Sequence, residues 1–166
     1  DDVLGLVGTG VIANPLRDIN VYTLYLKPEV TQMGEDTTFL TCIVAHFKAG
    51  DGAANVKARQ VAANSIMTWI ENNGAGRNIL VLGDFNLSSH AESTFQTMIN
   101  NSNAALSLKD PSGSQNGWSG AGNAIHHTQS TRTSSGGCVA GGGMDDRFDL
   151  ILTNQAVIDG SNGVKY

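Results

Sequence analysis

Apolar positions along the chain follow two periods, one of two residues and one of about 3.6, and these divide it into strands and helices. Residues 19–28, INVYTLYLKP, alternate and are rich in β-branched and aromatic side chains, which predicts a strand. Residues 34–38, GEDTT, predict a turn. Residues 39–50, FLTCIVAHFKAG, predict a second strand, apolar almost without a break through Ala45. Such continuity predicts burial on both faces. Residues 55–74 predict the main helix: Val56, Ala63, Met67 and Ile70 share a face, Ile66 and Trp69 lie beside it, and Gly74 stands where a C-terminal cap belongs. Residues 78–83 predict a third strand. Ser89 and Glu92 form an S-x-x-E capping box for a short helix reaching about residue 101. Residues 106–110 predict a short strand and residues 147–154 a longer one. Between them, residues 111–143 are rich in Gly, Ser and Asn and have no period. A loop of that length inside a domain is usually functional or mobile.

Composition narrows this picture. At 166 residues and 40% hydrophobic, the chain has one domain's worth of core, and residues 1–166 read as a single α/β domain. Its 20 glycines, 15% charged residues and net charge of -5 suit a secreted or extracytoplasmic protein. Lys and Arg are scattered from Arg17 to Lys165, with no basic run to mark a nucleic-acid footprint. No apolar stretch approaches the roughly 20 residues of a membrane helix, so no membrane span is expected. Cys42 and Cys138 allow either one disulfide or two free thiols, one on a strand and one in a loop. The glycine-rich tract matches no phosphate-binding loop.

Candidate chemistry concentrates in residues 78–95, NILVLGDFNLSSHAESTF, where an apolar strand runs into Gly83, Asp84, Phe85 and Asn86. Residues two apart on a strand point the same way, so Asp84 and Asn86 can converge just past the end of a buried strand. Ligands of open α/β sheets bind beyond such carboxyl ends. Gly83 leaves room for close approach to the backbone. An aspartate there activates a water or holds a hard cation, and an asparagine holds a phosphoryl oxygen without adding charge. The alternative is a plain turn, in which Asp and Asn satisfy their own backbone.

GDFN after an apolar strand resembles the core motif of the endonuclease/exonuclease/phosphatase family, which has the deoxyribonuclease-I-like fold. Other segments stand in that family's order. VAHFKAG at residues 44–50 resembles a strand ending in a histidine near the scissile phosphate, and the helix bearing Arg59 and Gln60 resembles the helix that follows it. DRFDLIL at residues 146–152 resembles the family's R-x-D-hydrophobic strand. The resemblance spans roughly residues 17–154 and implies part of a four-layered α-β-β-α sandwich. It implies that Asp84 orients or deprotonates the attacking water or helps bind metal, and that Asn86 contacts the phosphate. It implies that His46 contacts the phosphate or supplies the leaving-group proton, and that Asp149 orients a second histidine. The plainer alternatives are a satisfied strand-end histidine for His46 and backbone or arginine pairing for Asp149. Arg59 reads as structural, tying its helix to a neighbouring loop. His126 and His127 lie in the long loop before the last strand, where at most one faces inward; His127 is the candidate substrate contact.

The family's opening strands, with an asparagine and a metal-binding glutamate, have no counterpart before Arg17, and its closing S-D-H has none before Tyr166. The chain therefore reads as the middle of a domain, with exposed strand edges that favour self-association. The implied activity is metal-dependent phosphodiester hydrolysis, as an endonuclease or related phosphodiesterase. Asp84 is the metal ligand and Mg²⁺ the cofactor, with Mn²⁺ as the alternative. The implied partner is nucleic acid or another phosphodiester. The second reading is a non-catalytic fragment or binding module of the same fold.

Overall fold

The computed structural model describes residues 3–27, 37–113, 118–138 and 141–165. The strands are β1 (Leu4–Ile12), β2 (Ile19–Leu26), β3 (Phe39–His46), β4 (Asn78–Asp84) and β5 (Asp149–Thr153). The helices are α1 (Ala53–Asn73), α2 (Ser93–Ile99) and α3 (Gln155–Asp159), with a 3-10 turn at Ala121–His126. The strands form one sheet in the order β1-β2-β3-β4-β5. Every neighbouring pair is antiparallel except β3 and β4, which α1 joins as a parallel crossover.

Alternation along each strand decides which side chains enter the core. Thr41, Ile43 and Ala45 of β3, Ile79 and Val81 of β4, and Leu150 and Leu152 of β5 are buried. The apolar ones join Ala63, Ile66, Met67 and Ile70 of α1 and Phe95 and Met98 of α2 in one cluster, so the helices cover one face of the sheet. The opposite face is apolar but not sealed. Leu40, Cys42 and Val44 stay half-buried there, and Leu6, Val11 and Ile151 are 58%, 60% and 50% exposed. The unbroken apolar run of β3 predicted cover on both faces, and among the described residues only one face has it. Both cysteines are free, Cys42 on β3 and Cys138 exposed in the loop.

Four local differences from the sequence reading have clear causes. Residues 4–12 form a strand that three glycines hide from the pattern; pairing with β2 from Leu4↔Leu26 to Ile12↔Ile19 supplies what propensity lacks. At Gly5 any Cβ would collide with the Tyr25 ring, which lies over the glycine and fills its missing side chain. Residues 106–110 contribute only a bridge, Lys109↔Thr153, rather than a strand. The predicted strand at residues 147–154 is confined to Asp149–Thr153. The predicted capping box does not form: Glu92 is the N-cap of α2 without a side-chain cap bond, because Arg59 takes both its carboxylate oxygens. A charge-assisted bidentate pair outcompetes a single capping bond.

Gly83 is required by packing against protein rather than by an approaching ligand. Its φ is +135°, and any Cβ there would collide with the Ala45 carbonyl oxygen of β3. Gly83→Ala is expected to cost about 2–3 kcal/mol, through strain plus displacement of β4 from β3. A urea unfolding midpoint unchanged from wild type would contradict this.

Candidate active site

Register places three of the sequence-predicted residues in one row. His46 ends β3 beside Asp84, which ends β4, and Asp84 lies opposite Asp149, which begins β5. All three project from the face that the helices leave open, since their strand neighbours Ala45, Gly83 and Leu150 belong to the other parity. His46 Nε2 lies 3.5 Å from Asp84 Oδ2. The other oxygen, Asp84 Oδ1, accepts the Asn86 backbone N–H at 3.0 Å. Asn86 sits at φ +49°, a left-handed conformation that asparagine tolerates, and its side-chain amide donates to the Phe47 carbonyl at 3.3 Å. The fourth predicted residue is thereby held against the β3–α1 loop, next to the row.

The turn reading and the site reading are both partly realised. The bond from Asn86 N–H to Asp84 is an ordinary aspartate turn. It does not explain why two carboxylates stand directly opposite each other across antiparallel strands, where like charges are destabilising. Burial pushes the Asp84 carboxyl above the usual carboxylate range and the Asp149 charge pushes the same way, against opposing pulls from Asn86 and His46. A conflict of this kind, left in place at the end of a buried strand, marks a functional site more often than a structural one.

The two loops that follow β3 and β4 are tied together. The Arg59 side chain, wholly buried in α1, donates Nη1 to the carbonyls of Lys48 and Gly50 at 2.7 and 2.8 Å, and pairs Nε and Nη2 with Glu92 at 2.8 Å. It ties the segment after His46 to the segment after Asn86, the structural role its position suggested.

His127 is not in the row. Its ring is buried, with Nδ1 against the Met144 carbonyl at 2.5 Å, so that Nδ1 is the donor and the ring faces into its own loop. His126 instead lines an open cleft of about 380 Å³ together with Gly83, Thr128 and Asp149. Sequence reasoning also passed over Arg17, whose guanidinium reaches the carbonyls of His46 and Phe47 at 3.4 Å. Only the 29-residue sequence separation closed by the fold brings it there. Among the described residues no group of three or more His, Cys, Asp or Glu converges as a complete metal cage. Two adjacent carboxylates still suit a hard cation that keeps most of its own water, because Mg²⁺ is commonly held by one or two carboxylates.

No family model and no curated protein sequence matches the chain. Solved structures do. The catalytic domain of human Nocturnin, solved with a bound sulfate anion, superimposes with a TM-score of 0.56 at 14% identity, covering 95% of this chain and 50% of that one. An endonuclease/exonuclease/phosphatase from Bacteroides vulgatus gives 0.56 at 15%, covering 93% and 56%. The chain has the endonuclease/exonuclease/phosphatase fold. TDP2 from C. elegans superimposes less closely, with a TM-score of 0.52 at 12% identity, covering 93% of this chain and 42% of that one. The chain thus spans about half the length of the structures that share its fold. In that fold the row of His46, Asp84 and Asp149 lies at one end of the sheet, along the rim of the face the helices leave open.

Proposed function

We propose that the whole protein carrying this chain hydrolyses phosphodiesters, as a metal-dependent nuclease or related phosphodiesterase. The observation that carries this reading is the in-register row of His46, Asp84 and Asp149, with two carboxylates facing each other and no Lys or Arg bonded to either among the described residues. In-line attack on a phosphodiester needs a positioned water, charge relief on the phosphoryl oxygens and support for the leaving oxygen. Asp84 would orient and deprotonate the water, and it is the residue that would hold Mg²⁺, or Mn²⁺ as the alternative. When bound, that ion supplies charge neutralisation at the phosphoryl oxygens. Asn86 would give the second N–H of its amide to a phosphoryl oxygen, and His46 would contact the phosphate or supply the leaving-group proton. Asp149 is the residue that would orient a second histidine. His127 keeps a supporting role in the loop's shape, which leaves substrate contact to its neighbour.

The test compares plasmid DNA, RNA and a small chromogenic phosphodiester, with Mg²⁺ or Mn²⁺ and with EDTA. Cleavage by the whole protein that EDTA removes is the expected result, with residues 1–166 alone cleaving weakly. Cleavage that survives EDTA would sink the metal-dependent mechanism. The second reading, a non-catalytic binding module, is favoured by one observation, the unsealed apolar face bearing Leu6, Val11 and Ile151. Self-association of the whole protein without any hydrolysis would establish it.

A further inference from the structure

We infer that the cleft beside Asp149 seats an uncharged planar ring of the substrate, a nucleobase next to the scissile phosphate, and that His126 is the platform on which it stacks. This rests on the phosphodiesterase reading above and narrows its substrate to nucleotides. The first support is the way the long loop is fastened. Thr128 Oγ1 accepts the backbone N–H groups of Phe148 and Asp149 at 3.1 and 2.9 Å, and the Thr128 N–H donates to the Asp146 carbonyl at 3.2 Å. Residues 126–128 are thereby held against the start of β5. The 3-10 turn Ala121–His126 ends here, and the backbone at His127 is extended. With the His127 ring turned inward onto Met144, His126 is left lining the cleft.

The second support is the cleft's size and charge. At about 380 Å³ it is at the small end of ligand sites, of a size for one ring-bearing group. Ile151 and Pro111 give it apolar walls, and Asp149 carries it to the edge of the catalytic row. Among the described residues that line it, Arg147 is the one Lys or Arg, and it is already engaged. Its two terminal nitrogens meet Asp110 at 2.6 and 3.0 Å, and its guanidinium carbon lies 5.4 Å over the Trp118 ring. A second phosphate entering the cleft would meet the Asp149 carboxylate with no unpaired guanidinium to offset it. A nucleobase carries no such charge, and histidine is among the side chains on which unstacked bases rest.

The test is calorimetric titration of the whole protein with adenosine 5′-monophosphate and with ribose 5-phosphate, which lacks the ring. The expected result is roughly tenfold tighter binding of the nucleotide. His126→Ala should bring the two ligands to within about twofold of each other, whereas His126→Phe should keep the preference, since stacking needs a ring and not an imidazole. Equal binding by the wild type, or a preference that survives His126→Ala, would overturn the inference. So would tighter binding of ribose 1,5-bisphosphate than of the nucleotide, because the cleft would then be taking charge. Hydrolysis is assayed on the same samples. Base preference without cleavage would refute the proposed activity and leave the cleft assignment standing, and cleavage without base preference would do the reverse.

Discussion

Asp84→Asn in the whole protein is expected to abolish phosphodiester cleavage while leaving the fold as stable as before or slightly more so. Loss of one preorganised charged group at a reacting centre typically costs on the order of 100- to 1000-fold. Asp84 is assigned both the water and the cation, so the loss should reach the upper end of that range. The stability half follows from proton linkage. Burial first, and then the Asp149 charge, raise the Asp84 pKa in the folded protein. The native state therefore holds this proton more tightly than the unfolded chain does. Native stability is favoured below the ordinary carboxylate pKa and is lost as pH rises through the raised value. At neutral pH the ionised Asp84 weakens the fold, and the neutral amide removes that cost while keeping the shape. Asp84 is 37% exposed at its side chain, so solvent screening leaves a gain of only about one or two degrees in melting temperature. The same linkage means that activity should fall on the acid side through the raised pKa, as the carboxylate takes up its proton. Paired rate and melting measurements on Asp84→Asn check both halves. Turnover within tenfold of wild type would remove Asp84 from the mechanism, and a melting temperature several degrees lower would show that its charge stabilises the native state.

Arg59→Ala should destabilise the fold by about 3–5 kcal/mol. The substitution leaves the Glu92 carboxylate, only 10% exposed at its side chain, without its cation, and strips the carbonyls of Lys48 and Gly50 of their donor. Arg59→Met with Glu92→Met should recover much of the stability, because no buried charge is then left unpaired. It should not recover activity in the whole protein. The guanidinium is what ties the loop after His46 to the loop after Asn86, and a methionine pair packs without fixing either backbone. Urea midpoints for the single and double variants, read beside their rates, separate the two effects. A double variant with wild-type rates would show that Arg59 supports the fold and does not position the site.

Much of the candidate site could be read along the chain because its parts are local. The apolar run into Gly83 and Asp84 reads as a strand, and the two-residue period of strand geometry puts Asp84 on the face opposite Val81. The main helix is legible for the same reason: Ala63, Ile66, Met67 and Ile70 recur at helical spacing and are all buried. Arg59 could be read as a structural tie, but its partners could not, because Glu92 lies 33 residues away and looked like a cap.

Legible in the chain alone were four of the strands, the main helix, and the placing of His46, Asp84 and Asp149 on or just beyond three different strands. That these three stand in one row came only with the assembled sheet, because register is set by pairing between strands that are 38 and 65 residues apart at these positions. Folding also made residues 4–12 a strand, since their glycines have little strand propensity of their own and depend on β2 to hold them. It turned His127 inward and left His126 lining the cleft, a choice made by Thr128 capturing two backbone N–H groups of a distant segment. Local pattern records which way a side chain leaves its own backbone; what it meets there depends on hydrogen bonds and packing that close only when remote segments come together.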